Sequence, residues 1–115
     1  MAGLRMTLQT QLVLRELLDA GGAERYGLEL VAGTELPSGT IYPILTRLER
    51  AGWAESMWED PARHEAEGRP RRRYYRLTRD GADLARVALD SAARDRARRA
   101  AGLRLPIRDS GMVPA

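Results

Sequence analysis

"SGTIYPILTRLERAG", Ser38–Gly52, decides how the rest of this chain is read. Ile41, Ile44, Leu45 and Leu48 recur at three- and four-residue spacing, the signature of a helix with one buried stripe. Thr40, Pro43, Arg47 and Arg50 fall on the opposite side, with Tyr42 and Thr46 flanking them. Ser38 is placed to cap the helix and Gly52 to stop it. Pro43 lies near enough to the start that it removes only an early hydrogen bond. The first residues, Ser38, Gly39 and Thr40, combine small size, two hydroxyls and the free N–H groups of a helix start, which suits a phosphate. For Ser38 alone, structural capping is the simpler reading.

Upstream, "MTLQTQLVLRELLDAGG" (Met6–Gly22) predicts a helix capped by Thr7 and ended by Gly21-Gly22. Leu8, Leu12, Leu14, Leu17 and Leu18 form its stripe, and Val13 widens it, so the helix is expected to meet more than one surface. "RYGLELVAGTELP" (Arg25–Pro37) predicts a second, short helix over Tyr26–Ala32, ended by Gly33 and a turn before Pro37. Tyr26 reads as a packing residue. The second and third helices, joined by so short a turn, make a helix-turn-helix.

Downstream of Gly52 the period changes. "WAESMWED" (Trp53–Asp60) and "RRRYYRL" (Arg71–Leu77) read as two strands of a hairpin, with "PARHEAEGRP" (Pro61–Pro70) as the loop at its tip. Strand alternation puts Arg73, Tyr75 and Leu77 on one face, and Arg72, Tyr74 and Arg76 on the other. Since Leu77 leads into the core, Tyr75 is expected inside and Tyr74 outside. Trp53 is expected in the core, and Trp58 outside against Tyr74 or arginine side chains. Thr78 then caps a long helix, "RDGADLARVALDSAARDRARRAAG" (Arg79–Gly102), with Asp80 and Asp83 near its start and arginines toward its end, as the helix dipole prefers. Gly81 is tolerable in its first turn. Leu84, Ala85, Ala88, Leu89 and Ala92 give this helix a narrow, small-sided face that permits close helix–helix approach. "LRLPIRDSGMVPA" is expected to be an irregular tail.

The expected fold class is mainly α with a small β-hairpin: a winged helix-turn-helix followed by a long C-terminal helix. Residues 1–78 are expected to form the winged helix-turn-helix unit, 79–102 a dimerisation helix and 103–115 the tail. Leu8, Leu12, Leu84, Ala88, Leu89 and Ala92 are the candidate dimer contacts.

Charge sharpens this reading. The formal net charge is only +3, but it is unevenly spread. Trp53–Glu67 holds Glu55, Glu59, Asp60, Glu65 and Glu67 against Arg63 alone; Arg69, Arg71, Arg72, Arg73, Arg76 and Arg79 then follow with no acid until Asp80. All basic residues are arginine, which genomic base composition is enough to explain. Nothing adjacent in sequence neutralises the arginine run, so its counter-charge is expected from outside. A local basic patch of this kind is the electrostatic footprint of nucleic-acid binding, a solvated basic surface being the plainer alternative. The outward helix 38–51 would enter the major groove while the hairpin arginines grip the flanking backbone. A rival from another class is a winged-helix interaction module whose basic wing binds an acidic protein partner. The third helix favours DNA, because its outward side bears Thr, Arg and Tyr without a broad apolar patch.

Other classes are disfavoured by what the chain lacks. It has 115 residues, enough for one modest core, and no cysteine, hence no disulfide, no CxxC zinc site and no thiol nucleophile. "MAGLRMTLQTQLVL" reads as neither signal peptide nor membrane span, and a reducing cytoplasm fits. The one histidine, His64, sits at the hairpin tip beside Glu65 and Glu67, without convergent metal ligands or a neighbouring nucleophile motif. There is no phosphate loop or dinucleotide fingerprint. No catalytic residue, metal or cofactor is expected.

"YGLELVAGTELPSGTIYPILTRLERAGW" (Tyr26–Trp53) followed by "GRPRRRYYRLTRDG" (Gly68–Gly81) resembles the PadR family of bacterial transcriptional regulators, over roughly Leu8–Leu89. The most specific segments are Tyr26-Gly27, Ser38–Pro43, Arg47–Glu49, Gly52, and the wing from Gly68 to Thr78 closed by Gly81. The resemblance implies a winged-helix homodimer on double-stranded DNA, usually a repressor and often released by a small-molecule effector. It places Ser38, Thr40, Tyr42 and Pro43 on the recognition helix and Arg72, Arg73 and Tyr74 on the wing; Arg47, Arg69 and Arg71 join them from their charge and position. Family members commonly carry a longer C-terminal dimerisation region than the single helix and short tail found here.

Overall fold

The Thr7 hydroxyl accepts the Thr10 backbone N–H at 3.2 Å and starts the first helix, as its sequence predicts. The computed structural model describes residues 4–112, with side chains described through residue 102. Its elements are α1 (Leu8–Asp19), β1 (Arg25–Tyr26), α2 (Gly27–Thr34), α3 (Ser38–Arg50), β2 (Ala54–Trp58), α4 (Pro61–Glu67), β3 (Arg73–Leu77) and α5 (Arg79–Met112). The winged helix-turn-helix with a long C-terminal helix is therefore present. Several local features differ from expectation.

The hairpin is part of a three-stranded antiparallel sheet, ordered β1-β3-β2. The added strand has two residues, Arg25 and Tyr26, paired with Tyr75 and Tyr74, and is too short to carry any periodicity of its own. The hairpin tip is helix rather than loop. Asp60 caps α4 by accepting the Ala62 N–H at 3.0 Å, Pro61 opens it with a preset φ, and Gly68 ends it in the left-handed region. The cap of α3 is Pro37, not Ser38: the Pro37 carbonyl accepts the Thr40 and Ile41 N–H groups at 2.9 and 3.2 Å. Finally, α5 continues past Gly102 to Met112, where the sequence led us to expect an irregular tail.

Gly33 also does not end α2. The helix runs on to Thr34 and closes at Glu35 in the left-handed conformation (φ 59°). Gly33 is instead where α1 crosses closely, since a Cβ there would overlap the Glu16 carboxylate.

Val13, Leu14, Leu17, Leu30, Ile41, Ile44, Leu45 and Leu48 make the core, closed by Ala54, Tyr75, Leu77 and Ala85. Each large aliphatic side chain buried this way contributes about 1.5–3 kcal/mol relative to exposure. The α3 stripe is the one its spacing predicts. On α1 the buried side includes Thr10 and Gln11, while Leu8 and Leu12 remain exposed and turn toward solvent beside α5. Trp53 is half-buried just before β2, packed against the core rather than inside it.

The start of α5 is clamped to the turn that ends α3. Thr78 donates its backbone N–H to the Trp53 carbonyl and its hydroxyl to the Gly52 carbonyl, both at 2.9 Å, and the same hydroxyl accepts the Gly81 N–H. Gly81 packs directly on the Trp53 peptide, so a Cβ there would collide with backbone.

Candidate nucleic-acid interface

The outward side of α3 is built by the same period that fills the core. With Ile41, Ile44, Leu45 and Leu48 turned inward, Ser38, Gly39, Tyr42, Pro43, Thr46, Arg47 and Arg50 stand exposed and Thr40 is half-exposed. Glu49, the only carboxylate of this helix, turns toward the sheet. There it accepts the Ser56 hydroxyl at 2.6 Å and pairs with Arg73 at 3.5 Å. The outward side therefore carries cations and hydroxyls and no negative charge. Tyr42 is 43% exposed, yet its ring lies across Gly27, where a Cβ would overlap its hydroxyl. Only glycine lets α3 and the start of α2 approach this closely. The Thr46 hydroxyl is occupied within the helix, donating to the Tyr42 carbonyl at 3.0 Å.

The wing is organised around Glu59, which the sequence places in a separate acidic block. Folding lays that block against the arginines. Glu59 is 6% exposed, and its two oxygens accept from Arg69 at 2.6 and 3.0 Å. One of them also accepts the Arg72 backbone N–H at 2.8 Å, and the Glu59 carbonyl accepts from Arg71 Nε at 2.9 Å. Hydrogen bonds from Arg69 outweigh the opposing effect of burial and hold the Glu59 carboxyl down to about 2. Arg69 also reaches Glu67 at 2.9 Å, lowering that carboxyl below its usual range, and its own guanidinium is held still more firmly protonated. His64 Nδ1 lies 3.0 Å from the Arg69 carbonyl, tying α4 to the strand that follows.

The arginine run is thus partly neutralised from within, contrary to its appearance in the sequence. Arg69 is bound by Glu59 and Glu67, Arg73 by Glu49, and Arg76 by Glu55 at 2.8 Å. Arg71 and Arg72 have no carboxylate partner among the described residues. The Arg72 guanidinium carbon lies over the Tyr26 ring, 4.0 Å from its centroid, and that of Arg71 stands 5.5 Å from the centroid of the Trp58 ring. Both stacks hold a cation in place without cancelling its charge.

The strand faces alternate as expected. Tyr75 is buried, with burial pushing its hydroxyl pKa up, while Tyr74 is half-buried, edge-on to Tyr26 at 5.6 Å. Trp58 is 53% exposed and flanked by Arg71 and Arg73 rather than by Tyr74. The sequence reading missed Tyr26 as the support for Arg72 and Glu59 as the clasp of the wing. Neither contact has a spacing signal, because both join segments ten or more residues apart.

The expected dimer residues divide into groups. Leu8, Leu84, Ala88 and Ala92 line a groove of about 680 Å³ between α1 and α5, together with Val87. Leu12 is exposed on α1, and Leu89 packs back against the core. Among the described residues, no helix is long and apolar enough to cross a membrane, and no cluster of three His, Cys, Asp or Glu side chains could hold a metal.

The transcriptional regulator PadR-like family model matches residues 16–86, which include the helix-turn-helix, the wing and the first turns of α5. No curated protein matches the chain. Among solved structures, it is similar to a PadR family transcription regulator from hypervirulent Clostridium difficile R20291, with 22% identity and a TM-score of 0.67 over 84% of this chain and 99% of that one. A PadR family transcriptional regulator from Eggerthella lenta DSM 2243 shares 26% identity, with a TM-score of 0.61 over 85% of each chain. A PadR-like transcriptional regulator from Bacillus cereus shares 20% identity, with a TM-score of 0.59 over 84% of this chain and 90% of that one. With its family match spanning more than half its length and its winged helix in place, the chain belongs to the PadR-like family, whose members are transcriptional regulators rather than enzymes.

Proposed function

We propose that this protein is a sequence-specific double-stranded DNA-binding regulator that works as a homodimer and, in the manner of its family, as a repressor. The observation carrying this reading is the outward side of α3: polar and cationic, free of carboxylates, and adjacent to a wing that keeps two uncompensated arginines. In this reading Ser38, Thr40 and Tyr42 meet base edges in the major groove, Arg47 contacts the DNA from the flank of the same helix, and Pro43 shapes the approach. Arg71 and Arg72 contact phosphates beside it. Arg69, Arg73 and Tyr74 hold the wing in shape, the two arginines approaching the DNA as ion pairs.

Residues 1–78 act as the DNA-binding unit and 79–102 as the dimerisation helix. Leu8, Leu12, Leu84, Ala88, Leu89 and Ala92 supply or support the apolar contact of α1 and α5 with a second copy. A small-molecule effector would act by occupying or reshaping the same groove.

Selection of bound sequences from a random duplex library tests the reading. The expected result is a two-fold symmetric site with half-sites about one helical turn apart. Enrichment of no sequence, or binding to acidic proteins and not to duplex, would overturn it.

A further inference from the structure

On the flank of α3 away from the wing, a shallow groove that carries two arginines lies along its seam with the start of α1. It consists of two adjoining hollows of about 240 and 280 Å³. Leu4, Arg5, Thr7, Thr10 and Arg47 line the first. The second continues from Thr7 and Arg47 past Gln9, Gly39 and Thr40 to an apolar floor of Pro43 and Ile44. No carboxylate lines either hollow, and neither Arg5 nor Arg47 has a carboxylate partner among the described residues. We infer that this seam is a second DNA-backbone seat, in which Arg5 and Arg47 hold a phosphodiester with Gln9 as a neutral donor.

Helix geometry supports the assignment. Residues on an α-helix advance by about 100° each, so Arg47 and Glu49 lie roughly 200° apart around α3. Glu49 is the residue to which the wing is attached, through Ser56 and Arg73. The seam and the wing consequently flank α3 on opposite sides. A helix seated in the major groove has one phosphate backbone along each flank of that groove, about 12 Å apart. The wing reaches one backbone and the seam is placed for the other.

Arg5 is not on a free end. The Gln11 side chain is almost fully buried and donates to the Met6 carbonyl at 2.9 Å, fixing the residue next to Arg5. Arg96 of α5 in turn donates to the Gln11 side-chain oxygen at 2.8 Å. The Thr7 and Thr10 hydroxyls bond to each other at 3.0 Å, which leaves the charge of the seam to the two arginines.

This inference rests on the DNA binding proposed above, and its test separates the two. Arg5→Ala removes an exposed side chain and should fold as the parent does. Binding to a selected duplex and to random duplex is measured over a salt series. It is then repeated on duplexes carrying one neutral methylphosphonate at each position in turn. The expected result for Arg5→Ala is a log–log salt slope flatter by about 0.9 on both duplexes, with the preferred sequence unchanged. Arg5→Lys should restore the slope. One cluster of phosphate positions should lose its sensitivity in Arg5→Ala and in Arg47→Ala. A different cluster, across the major groove, should lose it in Arg71→Ala/Arg72→Ala. An unchanged slope and phosphate pattern in Arg5→Ala, with a flattened slope in the wing variant, would overturn the seam and leave the proposed function standing. Failure of the parent to bind any duplex would overturn both.

Discussion

Glu59 and Arg69 are joined across the base of the wing by two charge-assisted hydrogen bonds of 2.6 and 3.0 Å. They close α4 between β2 and β3, and the Arg72 N–H bound to the same carboxylate fixes where β3 begins. The arginine nearest the hairpin tip thus serves the fold of the wing. The wing arginines left without a carboxylate among the described residues are Arg71 and Arg72, two and three residues further along.

The pH dependence of stability follows from this pair. The folded Glu59 carboxyl is held at about 2, below its ordinary value of 4.5. A depressed carboxyl stabilises the folded state above its unfolded value, and that contribution is lost as pH falls through the folded one. The thermal midpoint, followed by circular dichroism, should therefore fall between about pH 4.5 and 2. Glu59→Gln should start from a lower midpoint at neutral pH and show a shallower fall across that window. A parallel acid profile in the variant would remove Glu59 from this role.

Removal of wing charges should sort the arginines by their partners. Arg71→Ala and Arg72→Ala should each flatten the log affinity against log salt plot by about 0.9, for specific and random duplex alike. Arg73→Ala should change it less, because Arg73 already faces Glu49. Equal slopes for all three variants and the parent would indicate a wing that meets no phosphate.

Sequence readout should lie on α3. Thr40→Ala and Tyr42→Ala are expected to change which base pairs are preferred, each good base contact being worth about 1–3 kcal/mol of discrimination. Gly27→Ala should act through Tyr42 by displacing its ring, altering preference without lowering random-duplex affinity. Library selection repeated on each variant gives the comparison. Unchanged preferred sequences in all three would place the readout elsewhere.

Two glycines of α5 should respond oppositely to alanine. At Gly81 the new methyl meets the Trp53 backbone, which cannot swing aside, so Gly81→Ala should cost about 1–3 kcal/mol in urea unfolding, as overpacking does. At Gly102 the space is open and the residue is helical and exposed, so Gly102→Ala should raise helicity without loss of stability.

Self-association should depend on the α1–α5 groove. Leu84 and Val87 are 47% and 64% exposed in the single chain, so Leu84→Asp and Val87→Asp should leave its fold intact. Sedimentation at micromolar concentration is expected to show a dimer for the parent and monomers for both variants. A dimer that survives both substitutions would be built on another face.

By itself the sequence determined the elements that carry their own period and caps. The inward stripe of α3, the Thr7 and Thr78 starts and the alternation of Tyr74 with Tyr75 were all legible, because each depends on residues within a few positions of one another. The signals for α4 were also present in Asp60, Pro61 and Gly68, but a seven-residue helix that buries nothing has no stripe to mark it. Only the tertiary structure decided which charges remain free. Coulombic attraction and hydrogen bonding act through space, and the hairpin brings Glu59 to Arg69, Glu55 to Arg76 and Glu49 to Arg73 from ten to twenty-four positions away. The same holds for Tyr26 beneath Arg72, for Tyr42 over Gly27, and for Arg5 beside Arg47. A linear chain records which charges exist, and folding determines which of them are left unpaired.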